Sequence, residues 1–575
     1  MSGIVQSSPE KVKDDGQSSA RVEASVVDPS VQALEHRDTC EDDEHVDLTW
    51  RSWVVVATIC FAIFTQVYVV VAAASVIAFI IRDLGNAPLA GWVIQGPLLV
   101  QSALSPIIGR LSDVLDRKYL AALPPLVAFA GAVVSARAES MQALVGGGIL
   151  IGFTLSTTAI TQAVPSEVLP LKWRPLANGF AGVSSSISGV FAILGAGAVT
   201  NANPGGWRTI FWIQAGLHLA TSLGILLFYW PKRLSDYPRL ALRNAVWACD
   251  PVGCATFIVS TTLLLISLDW AGTTFPWHDA HVAAPLTIGL VLLATFCVYE
   301  WKGRSDGLVA HVFFNWGPNF PLAIFGMAVE GWVFYSAVNS IVPQIVLNVG
   351  FESNAFRISI RQLSYQVPVV ITPAVSAWYA TRYKDLKSPL LFTFSIFLIA
   401  TICYATIQPS FDKPQQFYNV LSGIGVAGPL TLLPALVQFT SPHEFLSTAT
   451  GLAFSIRAIG GAFGTAILNA IINGHLAQHY ALSLEAAGAD AGMVARIQAG
   501  NFTGVPQAVL DASHRVYARA YRLAWASIIP FVVLVILAVL CLRGVAELMT
   551  ERVEATVERS EEEASSDSME RKNTV

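Results

Sequence analysis

The sequence predicts an all-α membrane protein of about fourteen transmembrane helices, and three observations carry that prediction. Composition comes first: 54% of the 575 residues are hydrophobic and only 13% are charged. A water-soluble domain carries about 25% charged residues, so most of this chain is solvated by lipid. The second observation is a succession of apolar runs near 20 residues long, the length that crosses a bilayer core. The third is that Lys and Arg favour alternate loops between those runs, the pattern that orients a multi-pass chain. The net charge of −5 includes no basic patch, which argues against a nucleic-acid partner.

In chain order, residues 1–49 form a polar, acidic tail ending in "CEDDEHVDLTW". It lacks the basic start and apolar core of a cleavable signal, so it is expected to be disordered and the run from Trp53 to act as an uncleaved anchor. Six spans are expected near 53–79, 88–108, 119–137, 141–163, 176–199 and 209–230. Two follow near 250–268 and 282–300, and six more near 320–347, 358–380, 388–408, 417–440, 447–473 and 523–543. The domain plan is therefore a tail (1–49), a six-helix half (50–231), a loop with two inserted helices (232–302), a second six-helix half (303–545) and an acidic tail (546–575). One set of alternate loops holds Arg110, Arg117 and Lys118, then Lys172 and Arg174, then Lys232, Arg233, Arg239 and Arg243, then Lys302 and Arg304, and last Arg382, Lys384 and Lys387. The other set is sparser, with Arg82, Arg137, Arg208, Arg357, Arg361 and Lys413. The richer set is expected in the cytoplasm, together with both tails. The sequon Asn501-Phe502-Thr503 then falls in an outer loop, where Asn501 is a glycosylation candidate. The seven cysteines show neither disulfide nor metal spacing; no cofactor or metal is expected.

An internal repeat supports the two halves. "SPIIGRLSDVLDRKY" and "TPAVSAWYATRYKDL" align Pro106 with Pro373 and Arg117 with Lys384 at an offset of 267, and "ANGFA" echoes "ATGLA" at an offset of 272. Many secondary transporters are built from such repeats around a midplane site.

Five motifs, in order, carry a resemblance. They are "GRLSDVLDRK" (109–118), "WRTIFWIQ" (207–214), "DPVG" (250–253) with "SLDWAGTTFPWHDAHVAAPL" (267–286), "GWVFYSAVNSIVPQ" (331–344) and "GLAFSIRAIGGAFGTAI" (451–467). From about Trp50 to Arg543 the chain resembles the major facilitator superfamily, and within it the fungal trichothecene efflux pumps, fourteen-span drug:proton antiporters. Fungal siderophore–iron transporters share much of the pattern. The resemblance implies the major facilitator fold, two six-helix halves plus two inserted helices. It also implies a cytoplasmic gate at Gly109, Asp113, Arg117 and Lys118. In the family the aspartate meets the N-terminus of a helix in the other half; here that helix starts near Ser447. Arg117 and Glu167 are the expected ion pair, with Arg174 near. Asp116 stands where the family has a second glycine. Asp113→Asn is expected to impair transport without affecting insertion, and Asp116→Gly to do little. Two family features are degraded. The helix-four arginine and glutamine correspond to Gly148 and Ile151, and the helix-five Gly-Pro pair is replaced in a stretch holding Gly189 and Gly197.

Two deep charges remain as coupling candidates. Glu330 lies about ten residues into the ninth span, where a charge costs about 2.5–3.5 kcal/mol on insertion scales; it is either a proton carrier or a neutral structural group. On a regular helix Asn339, nine residues on, would lie on the opposite face. Arg457 in the thirteenth span has three readings: partner of Glu330, ligand for an anionic substrate, or donor to a structural carbonyl. Cavity candidates are Gln66, Tyr68, Thr154, Thr158, Gln162, Trp332, Phe334, Tyr335, Asn339, Arg361, Gln362, Tyr365 and Gln366. His218 is expected to pack, and Asp83 and Asp269 to cap helix ends. The chain has no nucleotide-binding Gly-x-x-x-x-Gly-Lys-Ser/Thr. The expected function is proton-driven export of toxic hydrophobic compounds by a monomer in the plasma membrane, with a vacuolar or vesicle membrane as the alternative. Uptake of a ferric siderophore and a non-transporting receptor on a transporter scaffold are the rival readings. An intramembrane enzyme is not expected.

Overall fold

Backbone in lipid must satisfy its own hydrogen bonds, which leaves helices as the solution for a chain patterned this way. The computed structural model describes residues 50–85, 89, 91–115, 117–203, 205–230, 246–271, 275–315, 317–352, 355–498 and 504–550. Asn501, Asp116, the side chain of Asp269, residues 1–49 and residues 551–575 lie outside the described residues.

The first group comprises α1 (Trp50–Ser75), α2 (Trp92–Val114), α3 (Arg117–Ala136), α4 (Met141–Val168), α5 (Arg174–Ala202) and α6 (Arg208–Phe228). Then come α7 (Pro251–Trp270) and α8 (Ala280–Val298). The second group is α9 (Asn319–Asn348), α10 (Ala355–Tyr383), α11 (Lys387–Tyr404), α12 (Asp412–Phe439), α13 (Leu446–Ala486) and α14 (Gln507–Leu540). Among the described residues thirteen helices are long and apolar enough to cross a membrane. The fourteenth, α10, has 29 residues but is more polar. It packs between α5 and α12, and its exposed face is apolar, with Ile360, Val367, Ile371, Val375 and Trp378.

Each group buries its own apolar interior. Ile151, Trp207 and Phe211 lie in the first, and Phe397, Tyr404 and Trp525 in the second. The α7–α8 pair is held by Phe257 against Phe296, with ring centroids 5.2 Å apart. It leans on α2 and α13 through Ile107 and Ile459.

Two helices depart from regular geometry where the two groups meet. α4 breaks at Thr157. In α9 the stretch Trp332–Ile341 is a π-helix, a form that recurs at functional sites.

The structure corrects two expectations about the rim. The long loop expected after the thirteenth span is largely helical. α13 runs for 41 residues, about 60 Å at 1.5 Å per residue, and α14 starts at Gln507 rather than near 523. The extensions pack on each other through Tyr480, Leu484, Val509 and Val516. Their mixed composition hid them from a search for continuous apolar runs. Asp83, expected to cap its helix, instead accepts from Trp207 Nε1 at 2.9 Å and Arg208 Nη1 at 2.6 Å. The Arg208 guanidinium, then the Trp207 indole, hold its carboxyl below the usual range and tie the end of the first helical segment to α6.

Candidate functional site

At the end of α2 the two groups of helices touch through backbone. A Cβ on Gly109 would stand 2.4 Å from Ser447 O, and one on Gly451 would stand 2.5 Å from Ser105 O. Glycine on both helices lets them approach closely enough for Asp113 to reach the first turn of α13. Its carboxylate is 1% exposed. It accepts from Thr448 N at 2.8 Å, Thr448 Oγ1 at 2.7 Å and Ser447 N at 3.3 Å. A carboxylate at a helix N-terminus is favoured by the dipole and by the unpaired N–H groups there. Arg117 joins the cluster: Nη2 donates to Asp113 at 2.8 Å and Nη1 donates to Glu167. Lys118 is buried elsewhere, its ammonium over the Trp230 ring.

A second contact joins the groups at the same end. Gln438 of α12 accepts at Oε1 from Ser166 and Asn178, both at 2.8 Å, and donates to Gln162 O at 3.0 Å. Arg174 Nη1 donates to Gln438 O at 2.6 Å. Arg174 therefore serves this contact rather than the Arg117–Glu167 pair.

Between the groups lies a cavity with about 770 Å³ of empty space, counting the part open to solvent. The first group contributes Gln66, Gln101, Thr158, Gln162 and Gly189, and the second contributes Phe334, Tyr335, Asn339, Tyr365, Gln366 and Arg457. Gln66 is already engaged. Its amide donates to Thr154 O and Thr157 Oγ1, both at 3.0 Å, and accepts from Thr158 Oγ1 at 3.2 Å, which satisfies the break in α4. Gly189 leaves room for the Gln366 amide, 3.2 Å from where a Cβ would sit.

Arg457 is the one cation on the described cavity wall. Nε and Nη2 form a fork on the two oxygens of Glu330, and Nη1 donates to Tyr335 OH at 2.8 Å. The guanidinium also lies 4.6 Å from the Phe334 ring centroid and 4.8 Å from that of Tyr335. α9 and α13 come together here because Gly331 faces Arg457 O and Gly460 faces Ala328 O with no room for a Cβ. A buried bidentate pair is the arrangement that makes an intramembrane charge tolerable.

The Major Facilitator Superfamily model matches residues 56–465. This chain belongs to the major facilitator superfamily. It is 26% identical over 464 residues to the MFS-type transporter opaD of Aspergillus ustus, covering 78% of this chain and 75% of that one. It is also 26% identical over 459 residues to the efflux pump bfoC of Aspergillus brasiliensis, covering 77% of this chain and 78% of the relative. Among solved structures, the human organic anion transporter MFSD10 superposes with a TM-score of 0.50 at 11% identity, covering 83% of this chain and 99% of that chain. The proton:xylose symporter XylE does so at 0.50 and 12%, covering 84% and 96%. These two likenesses concern the fold.

Several cavity expectations for this facilitator need correcting. Trp332 points away from the cavity into the second half, its ring 4.5 Å from that of Phe531 and against Gly464. Tyr68 is buried inside the first half, and Thr154 offers its carbonyl to Gln66. Arg361 bonds Gln415 and Asp412, each at 2.6 Å, at the start of α12; neither it nor Gln362 is on the described cavity wall. The opposite-face argument for Glu330 and Asn339 assumed a regular helix. The π segment turns less per residue, so Asn339 lines the cavity while Glu330 sits behind Arg457, which does too. His218 is fully buried, and neither of its ring nitrogens has a hydrogen-bond partner among the described residues.

Sequence reasoning missed Gln438 and Asn178, which meet across 260 positions of the chain. It also counted Arg110 as a topology charge, although the structure binds it to the inserted helices.

Two tests follow from this geometry. Gly109→Ala is expected to insert normally yet lower transport at least tenfold, since the new methyl meets backbone and overpacking costs about 1–3 kcal/mol; transport assays normalised to membrane abundance check this. Trp332→Phe is expected to leave substrate range unchanged, whereas Phe334→Ala alters it. Competition assays across a set of compounds separate the two.

Proposed function

We propose that this facilitator is a secondary transporter that exports hydrophobic small molecules with polar substituents, driven by protons. The observation that supports it most is the cavity wall: apolar Val67, Val70, Phe334, Val369 and Phe454 alternate with Gln162, Asn339, Tyr365 and Gln366. Such a surface suits a largely apolar solute with several hydrogen-bonding groups. Export as the direction draws on relatives named efflux pumps, such as bfoC.

In this reading the Glu330–Arg457 pair couples protons. When Glu330 takes a proton its carboxyl loses its charge, and Arg457 is freed to turn into the cavity. Asp113, with Gly109, Arg117, Glu167 and Thr448, acts as the latch that closes one end, and Gln438 as a second pin. The basic loops put that end, and both tails, in the cytoplasm, with the plasma membrane as the expected site. The cavity is complete within one chain, consistent with a working monomer.

The test uses inverted vesicles containing the purified protein and a fluorescent hydrophobic toxin. Uptake that collapses with the pH gradient is expected. Uptake indifferent to the gradient removes the proton part, and no uptake of any apolar compound removes the export reading.

A further inference from the structure

Arg110 stands inside the Asp113 motif but does not serve it. Nε donates to Ala248 O and Nη2 to Asp306 O, both at 3.0 Å. Those carbonyls lie just before α7 and just beyond α8, so Arg110 ties both chain ends of the inserted pair to α2 at one end of the bundle. Between these anchors is a group of buried acids that the transport reading leaves unused.

Asp250 caps α7 and is wholly buried; Glu300, in the π turn after α8, is 3% exposed. Asp250 Oδ1 accepts from Gly253 N and Tyr299 OH, both at 3.0 Å. Glu300 Oε2 accepts from Val309 N at 2.9 Å. The remaining oxygens, Asp250 Oδ2 and Glu300 Oε1, meet no donor on the protein. They face each other. The two oxygens lie 2.0 and 2.7 Å from the point a Gly253 Cβ would occupy, which puts them no more than 4.7 Å apart. Gly307 makes the same allowance on the far side, where a Cβ would stand 2.4 Å from Glu300 Oε2. Two carboxylate oxygens bond each other only through a proton.

Charge leads to the same conclusion. Arg304 Nη1, itself without a hydrogen bond, lies 3.7 Å from Asp250 Oδ1. Arg304 also forks on Asp306, and Arg110 reaches the same residue; three ionised acids against two guanidiniums leave one negative charge uncompensated. One retained proton removes it, as in other carboxyl pairs that share a site. The other ionisable groups facing the pair are Tyr299, Cys249, Cys254, Asp306, Arg110 and His311, whose Nε2 is 3.0 Å from Glu300 O.

We propose that Asp250 and Glu300 form a proton-binding site outside the central cavity, whose single shared proton clamps the inserted helix pair onto α2. Loss of that proton sets two carboxylates against each other and loosens the clamp beside the Asp113 contact. The site does not depend on what the transporter carries.

The test is infrared difference spectroscopy on the purified full chain in lipid nanodiscs, stepped from neutral to alkaline pH. A protonated-carboxyl band that disappears on alkalinisation is expected in the wild type. It is lost in Glu300→Gln, lost in Asp250→Asn, and kept in Glu330→Gln. Thermal unfolding supplies the second reading: wild-type stability falls as the band disappears, and Glu300→Gln, whose amide donates to Asp250 permanently, no longer shows that fall. Absence of the band in the wild type, or its survival in Glu300→Gln and Asp250→Asn, overturns the proton site. Loss of the band with an unchanged pH dependence of unfolding overturns the clamp. Asp250→Asn carries the spectroscopic test if Glu300→Gln fails to fold.

Discussion

Asp113→Asn is expected to leave the protein in the membrane at wild-type abundance while cutting transport by roughly tenfold to a hundredfold. The carboxylate accepts from Ser447 N, Thr448 N, Thr448 Oγ1 and Arg117. Hydrogen bonds to a charged group contribute about 1.5–3 kcal/mol each, and the helix dipole adds up to about 2 kcal/mol in a partly buried site. An asparagine keeps the shape and one acceptor but not the charge. Loss of even about 2 kcal/mol moves the balance between latched and unlatched states about thirtyfold. Folding suffers less, because each half keeps its own apolar interior and Arg117 keeps Glu167. Efflux assays normalised to membrane abundance decide the matter; transport at the wild-type rate would remove the latch role.

The second large effect is an asymmetry between the partners of the buried fork. Glu330→Gln leaves Arg457 buried with a neutral partner, and a guanidinium has no means of shedding its charge. Breaking a buried pair in this way costs about 3–5 kcal/mol. Arg457→Gln leaves Glu330 instead, which escapes by taking up a proton. The first variant is therefore expected to unfold well below the second. The double variant Glu330→Gln/Arg457→Gln is expected to recover most of the stability, since neither charge remains, yet to stay inactive. Thermal unfolding in detergent and vesicle transport measure the two properties separately. Equal destabilisation by the single changes, or simple additivity in the double, would falsify this account of the pair.

The helices were the most legible part of this protein. A bilayer imposes a length and a polarity on any helix that crosses it, and both can be read locally. The same ruler failed for the ends of α13 and α14. There two helices of mixed composition shelter each other through Tyr480 and Val509, and no local window shows a partner. The family resemblance also implies that Asp113 meets the start of α13, and the structure places them in contact.

The cavity was legible only as a set of polar residues on the right helices. Which of them face inward depended on the rotation of each helix. Trp332 and Tyr68 turned into their own halves, Arg361 turned toward the start of α12, and the π segment of α9 carried Asn339 onto the cavity wall. A heptad or 100° count has no means of foreseeing a local change of winding.

Composition and span length, which act residue by residue against the lipid, determined that this chain is a bundle of about fourteen helices in a bilayer, with a charged motif closing α2. Tertiary structure decided among the partners that the sequence left open. Of three readings for Arg457 it selected Glu330, 127 positions away; Gln438 found Asn178 260 positions away, and Arg110 left the motif around it to hold the inserted pair. A buried charge takes the nearest partner that the packing supplies, and packing is a property of the assembled helices.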